Sequence, residues 1–108
     1  LITIATTDLT NRAILAMQDL DFERYFTDIA GTDLVKNAKP SPDLIEYLIN
    51  KHNTAIDKIV LIGDSMADLN MGKNAKCKFI GVKTGLCTGE FIDNSEYLIE
   101  DMSEIEVK

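Results

Sequence analysis

Two carboxylates four residues apart, Asp64 and Asp68, stand in the stretch "LIGDSMADLN" at positions 61–70, directly after an apolar run that reads as a strand. On a helix, residues i and i+4 lie one above the other, so a helix opening here would turn both carboxylates toward one point. Two hard oxygen donors at a wet edge suit Mg²⁺, which keeps several waters and takes one or two protein carboxylates plus substrate phosphate oxygens. Gly63 would leave room for a ligand to approach the backbone closely. The simpler alternative is that Asp64 caps the helix and Asp68 favours its positive end, effects worth about 0.5–2 and 0.3–1 kcal/mol. Taken alone, the window leaves the two readings level.

Further polar residues fall at the same kind of place. Lys39 precedes "PSP", whose two prolines restrict the local backbone. An isolated lysine is usually a solvated surface charge, but beside metal-binding carboxylates its ammonium would balance a nucleophile's charge and hold a transferring phosphoryl group. Thr6 ends "LITIAT", where its hydroxyl and the N–H of Thr7 could donate to a phosphate oxygen; the alternative is a strand-end threonine or helix cap. The pair Thr84 and Gly85 is a fourth polar position after a strand.

These residues need elements to hold them. Periodicity predicts a strand at about 1–5 and a helix at about 10–20 carrying Ile14, Leu15, Met17 and Leu20 on its apolar side. A short strand in "FTDIAGTDL" follows, then a helix from "SPDLIEYLINKH" with Ser41 as N-cap and Pro42 at its first position. "KIVLIG" at 58–63 reads as a strand apolar on both faces, a helix spans about 66–75, and "KFIGV" is the next strand. After the turn-prone "KTGLCTGE" come a short apolar run, "YLIE", and an acidic helix or tail. Alternation of this kind predicts an α/β, Rossmann-like doubly wound parallel sheet. Ligands bind such sheets beyond the carboxyl ends of the strands, where these polar residues stand.

Composition narrows the partners. The chain has 108 residues, the size of one domain, and 45% are hydrophobic. Against 11 Lys and Arg stand 18 Asp and Glu, a net charge of −7 that disfavours nucleic acid and anionic membrane surfaces. No apolar run approaches a membrane span and no signal sequence leads the chain. Cys77 and Cys87, with one histidine, make neither a zinc pattern nor a disulfide framework, so they are expected to be reduced thiols in a cytoplasmic protein. His52 is expected to interact with helix C-terminal carbonyls. The four methionines are expected to fill gaps in packing.

Taken together, "LITIATT", "KNAKPSPDLIEYLI" and "KIVLIGDSMADLNMGKNAKCKFIGVKTG" resemble motifs II, III and IV of the haloacid dehalogenase-like hydrolase superfamily, in that family's order and at about its spacing, over residues 1 to about 100. The resemblance implies that Thr6 hydrogen-bonds the transferring phosphoryl group, Lys39 stabilises its charge, and Asp64 ligates Mg²⁺ with Asp68 acting directly or through water. Gly-Asp-Ser followed by the second Asp resembles the Mg²⁺-dependent phosphatases and phosphomutases more than the metal-free dehalogenases. The implied reaction is hydrolysis of a small phosphorylated metabolite through a phospho-aspartate intermediate.

One part of the pattern is missing. The family's nucleophile lies in an Asp-x-Asp motif I that precedes motif II, whereas "TTDLTN" offers only Asp8, which stands too late. In that family the motif I strand lies between the strands bearing motifs II and IV, and its loss would leave unpaired edges. Residue 1 is Leu, and residues 1–108 are therefore expected to be the C-terminal part of one core domain, completed by an N-terminal segment of the same or a separate chain. The spacing from Thr6 to Lys39 leaves no room for an inserted cap domain, so any cap is expected upstream, and the 108 residues alone are expected to be inactive. The alternatives are a non-catalytic binding or assembly module of the same fold and a two-component receiver domain. A receiver would place its lysine after the carboxylates, not before them.

Overall fold

The β-rich start of the chain forms a pair with its nearest downstream strand. In the computed structural model, which describes residues 1–83 and 88–105, β1 (Thr3–Ala5) runs parallel to β2 (Asp28–Ala30), with Ile4 opposite Ile29. A parallel pair needs a crossover, supplied by α1 (Thr10–Asp19) and a short 3₁₀ turn at Glu23–Tyr25. After α2 (Asp43–His52) come β3 (Val60–Gly63), α3 (Met66–Ala75), β4 (Lys78–Val82), α4 (Gly89–Asn94) and β5 (Tyr97–Ile99). Strands β3, β4 and β5 form a second parallel sheet in that order, with Ile62 opposite Ile80 and Gly81 opposite Leu98. The fold is α/β with parallel strands.

The parallel sheet is divided in two at the place where the resemblance put the absent strand, between the strands that carry motifs II and IV. Among the described residues, β1 pairs only with β2, and β3 pairs only with β4. Their free edges face a groove of about 790 Å³, walled by residues 1–5 on one side and 58–64 on the other, with Ile45 and Leu48 of α2 also lining it. The strand expected over 58–63 begins later, because Ile56–Lys58 close a 3₁₀ turn, and Val60 is left 49% exposed. "KIVLIG" is apolar on both faces as a mid-sheet strand would be, yet it stands at an edge because no strand among the described residues pairs with its groove side.

Helix α3 joins the two parts of the core. Met71 is buried with Ala30, Leu44 and Ile45, while Leu69, two residues earlier, is buried with Phe79 and Phe91. Full burial of such side chains is worth about 1.5–3 kcal/mol each. Phe79 and Phe91 meet edge to face, with centroids 6.1 Å apart. Phe91 lies on α4, which the turn-prone reading of this segment did not anticipate; Thr88 caps it by accepting the Phe91 N–H at 3.2 Å. Met71 fills the core as expected, whereas Met102 is 55% exposed.

Other local expectations are corrected. α2 starts at Asp43 with Pro42 in the cap position; Ser41 accepts the Asp43 N–H at 3.4 Å and donates its hydroxyl to Asp43 Oδ1 at 2.8 Å. Pro42 has no side-chain acceptor, so the cap position itself makes no side-chain bond to the first turn. α1 forms where expected but buries no residue fully, leaving Leu15 and Leu20 58% and 57% exposed. His52 is the last residue of α2, and its Nε2 lies 2.9 Å from Asp28 Oδ2, not on the helix carbonyls. Lys51 Nζ reaches the same oxygen at 2.8 Å and, with His52, holds the Asp28 carboxyl below its ordinary range against the opposing effect of burial. Cys77 is a free, half-buried thiol whose pKa burial pushes up. Cys87 and the Thr84–Gly85 pair lie outside the described residues. Among the described residues no helix is long and apolar enough to cross a membrane.

Candidate active site

β3 ends at Gly63, and α3 opens three residues later. Its cap is Ser65, whose Oγ accepts the Asp68 N–H at 3.2 Å and donates to Asp68 Oδ2 at 2.9 Å. Asp64 therefore is not the cap. Nor does it share a helical face with Asp68, since it precedes the helix altogether. The two carboxylates reach the same place differently: Asp64 from the end of β3 and Asp68 from the first turn of α3, both lining one groove with Lys39.

Lys39 meets Asp68 directly, Nζ to Oδ1 at 2.6 Å, with the two side chains only 12% and 13% exposed. A charge-assisted bond of this length in a half-dry setting fixes both groups. Asp68 is thus held on one oxygen by Lys39 and on the other by Ser65. Asp64 is exposed and, among the described residues, its carboxylate has no hydrogen-bond or ion-pair partner. Of the two carboxylates, Asp68 is engaged and Asp64 is free among the described residues.

The space above Gly63 belongs to Asp68, not to a ligand as expected from the sequence. A Cβ at Gly63 would lie 2.4 Å from Asp68 Cβ and 2.6 Å from its Oδ2. Gly63→Ala must therefore push Asp68 out of its bonds to Ser65 and Lys39, and we expect a loss of about 1–3 kcal/mol, the usual range for overpacking. Chemical denaturation measures it. Unchanged stability would mean that Asp68 is not held against this backbone.

Thr6 follows β1, donating its N–H to Ala30 O at 3.0 Å and accepting the Asp8 N–H on Oγ1 at 3.1 Å. Among the described residues the Thr6 hydroxyl hydrogen and the Thr7 N–H have no acceptor. Neither Thr6 nor Thr7 lines the groove, although Ala5 beside them does. Their loop is fastened from β2's side. Asp33 accepts the Thr10 N–H at 2.6 Å and the Thr10 hydroxyl at 2.7 Å, while the Thr10 Oγ1 accepts the Gly31 N–H. The bonds from Thr10 hold the Asp33 carboxyl below its ordinary range.

Two of these residues escaped the sequence reading for different reasons. Ser65 carried a signal, the Ser-x-x-Asp spacing that precedes a helix. Asp33 carried none, because its partner is 23 positions away.

Among the described residues no cluster of three or more His, Cys, Asp or Glu side chains gathers as a metal centre. Hard oxygen donors few in number, one of them free at an exposed edge, fit Mg²⁺ with most of its shell left to water and substrate.

Comparison with known proteins places this architecture. A family model described as haloacid dehalogenase-like hydrolase matches residues 1–82. Phosphoglycolate phosphatase of Vibrio cholerae serotype O1 is 36% identical over 72 residues, covering 67% of this chain and 32% of that protein. Phosphoglycolate phosphatase of Escherichia coli strain K12 is 34% identical over 80 residues, covering 74% and 32%. The solved structure of a proposed haloacid dehalogenase-like hydrolase from Bacteroides fragilis shares the fold with a TM-score of 0.87 at 24% identity, over 95% of this chain and 50% of that one. The matched stretch spans about a third of the length of these curated relatives.

Proposed function

The chain belongs to the haloacid dehalogenase-like hydrolase family, and from that membership we propose that it carries the charge-stabilising half of a Mg²⁺-dependent phosphatase site. The observation that carries the reading is the 2.6 Å contact between Lys39 and Asp68 at the edge of the groove. An ammonium has three N–H donors, and Asp68 takes one, leaving two for phosphoryl oxygens. Asp68 holds Lys39 in place. The Thr6 hydroxyl and Thr7 N–H, both without acceptors among the described residues, bind a further phosphoryl oxygen.

Asp64, the free carboxylate, would hold Mg²⁺, with Asp68 contributing directly or through water. When bound, the ion neutralises charge on the phosphoryl oxygens. The attacking aspartate comes from a strand outside these 108 residues. Its carboxylate forms a bond to phosphorus as the ester oxygen leaves, and water then cleaves the phospho-aspartate to phosphate. The free edges of β1 and β3 and the apolar groove between them support insertion of that strand at this place. The names of the curated relatives support a small phosphorylated metabolite as substrate. A phosphomutase would use the same residues.

The test compares the complete protein with the 108-residue chain on a generic aryl phosphate, with Mg²⁺ and with a chelator. We expect turnover only from the complete protein and only with Mg²⁺. Equal rates in chelator would overturn the metal assignment, and Mg²⁺ binding without turnover would make the protein a binding module.

A further inference from the structure

The loop that carries Lys39 is tied to the rest of the molecule in an unusual way. Within residues 36–41, most hydrogen bonds are local: Asn37 donates from its N–H and Nδ2 to Asp43, Ser41 donates its N–H to Ala38 O, and its hydroxyl bonds Asp43. Beyond the bonds to Asp43 at the start of the adjoining α2, only two hydrogen bonds among the described residues tie this segment to another element. One is Lys39 Nζ to Asp68 Oδ1 at 2.6 Å; the other is Asn74 Nδ2 to Pro40 O at 2.8 Å. Both partners lie on α3.

Asp68 and Asn74 are six residues apart, about 9 Å along a helix axis. α3 therefore grips the backbone at residue 40 and the side-chain tip at residue 39 from two separated turns. The buried residues Leu69 and Met71, one in each core cluster, keep that helix from shifting between the grips. A lysine has four rotatable side-chain bonds, so a bond at its tip alone fixes neither its Cα nor its approach to a third group. The second bond, at the adjoining carbonyl, removes that freedom.

We propose that Asn74 is a positioning residue for Lys39, setting the direction from which the ammonium meets the phosphoryl group; the catalytic consequence rests on the proposed function, while the positioning itself does not. An exposed hydrogen bond contributes little to global stability, which separates the two roles. Loss of Asn74 should leave the fold intact and loosen Lys39.

The test uses Asn74→Asp, which keeps the shape and replaces the donor with an acceptor, and Asn74→Gln, which retains the donor. In the complete protein, the Lys39 ammonium resonance is followed by ¹⁵N NMR together with kcat and KM for an aryl phosphate. We expect Asn74→Asp to broaden or shift that resonance and to lower kcat about tenfold or more at nearly constant KM, as for a misplaced catalytic group. Asn74→Gln should recover part of both. An unmoved Lys39 resonance in Asn74→Asp overturns the proposal whatever kcat does, and a shifted resonance with unchanged kcat confines Asn74 to structure. Should the parent protein hydrolyse nothing, the proposed function falls, and the resonance still decides the positioning.

Discussion

Replacing Lys39 with methionine in the complete protein is expected to lower kcat for aryl-phosphate hydrolysis by about a hundredfold to a thousandfold, the range seen when one preorganised charge-stabilising donor is removed. Methionine keeps the unbranched stem and deletes only the charge and the donors. The same change strands Asp68, whose side chain is 13% exposed and would keep Ser65 but lose its cation. An unsatisfied group at that depth costs about 1–3 kcal/mol. Stability and catalysis can then be separated by a second substitution. Lys39→Met with Asp68→Asn removes the stranded charge and should regain much of the stability while kcat stays low. Lys39→Arg should not rescue catalysis, because a planar fork does not present donors as an ammonium does. A folded Lys39→Met protein with kcat within threefold of the parent would sink the proposed role.

Asp64→Asn should separate the two properties more cleanly. Asp64 is exposed and, among the described residues, unpartnered, so its substitution should change stability by no more than about 0.5 kcal/mol. Its expected effect falls on the metal. Losing one of few charged ligands should raise the Mg²⁺ concentration for half-maximal activity about a hundredfold or more, or abolish activity within reach of titration. Asp68→Asn should behave differently, lowering kcat and stability together through Lys39. The measurement is a Mg²⁺ titration of activity beside a denaturation curve for each variant. An Asp64→Asn protein with the parent's Mg²⁺ dependence would remove Asp64 from the metal site.

The contrast between these carboxylates was hidden in the sequence. Four-residue spacing suggested one helical face, but that argument holds only if both residues are helical, and Ser65 starts the helix after Asp64. The Ser-x-x-Asp pattern was there to be read and would have assigned Asp68 to the capped turn. The engagement of Asp68 by Lys39 joins positions 29 apart, a distance at which no local pattern speaks. The same holds for Asp33 and Asn74.

The sequence by itself determined the α/β class, the strands and helices up to β4, the family, and the set of residues Thr6, Thr7, Lys39, Asp64 and Asp68 as candidates. It could do so because hydrophobic periodicity and motif spacing are local properties of a chain. Tertiary structure alone decided which of them touch, that Gly63 makes room for Asp68, and that α4 forms around a buried Phe91. It alone also set the volume and lining of the groove between β1 and β3, whose unpaired edges the absent motif I strand had already implied, since the walls of a groove come from residues distant in the chain.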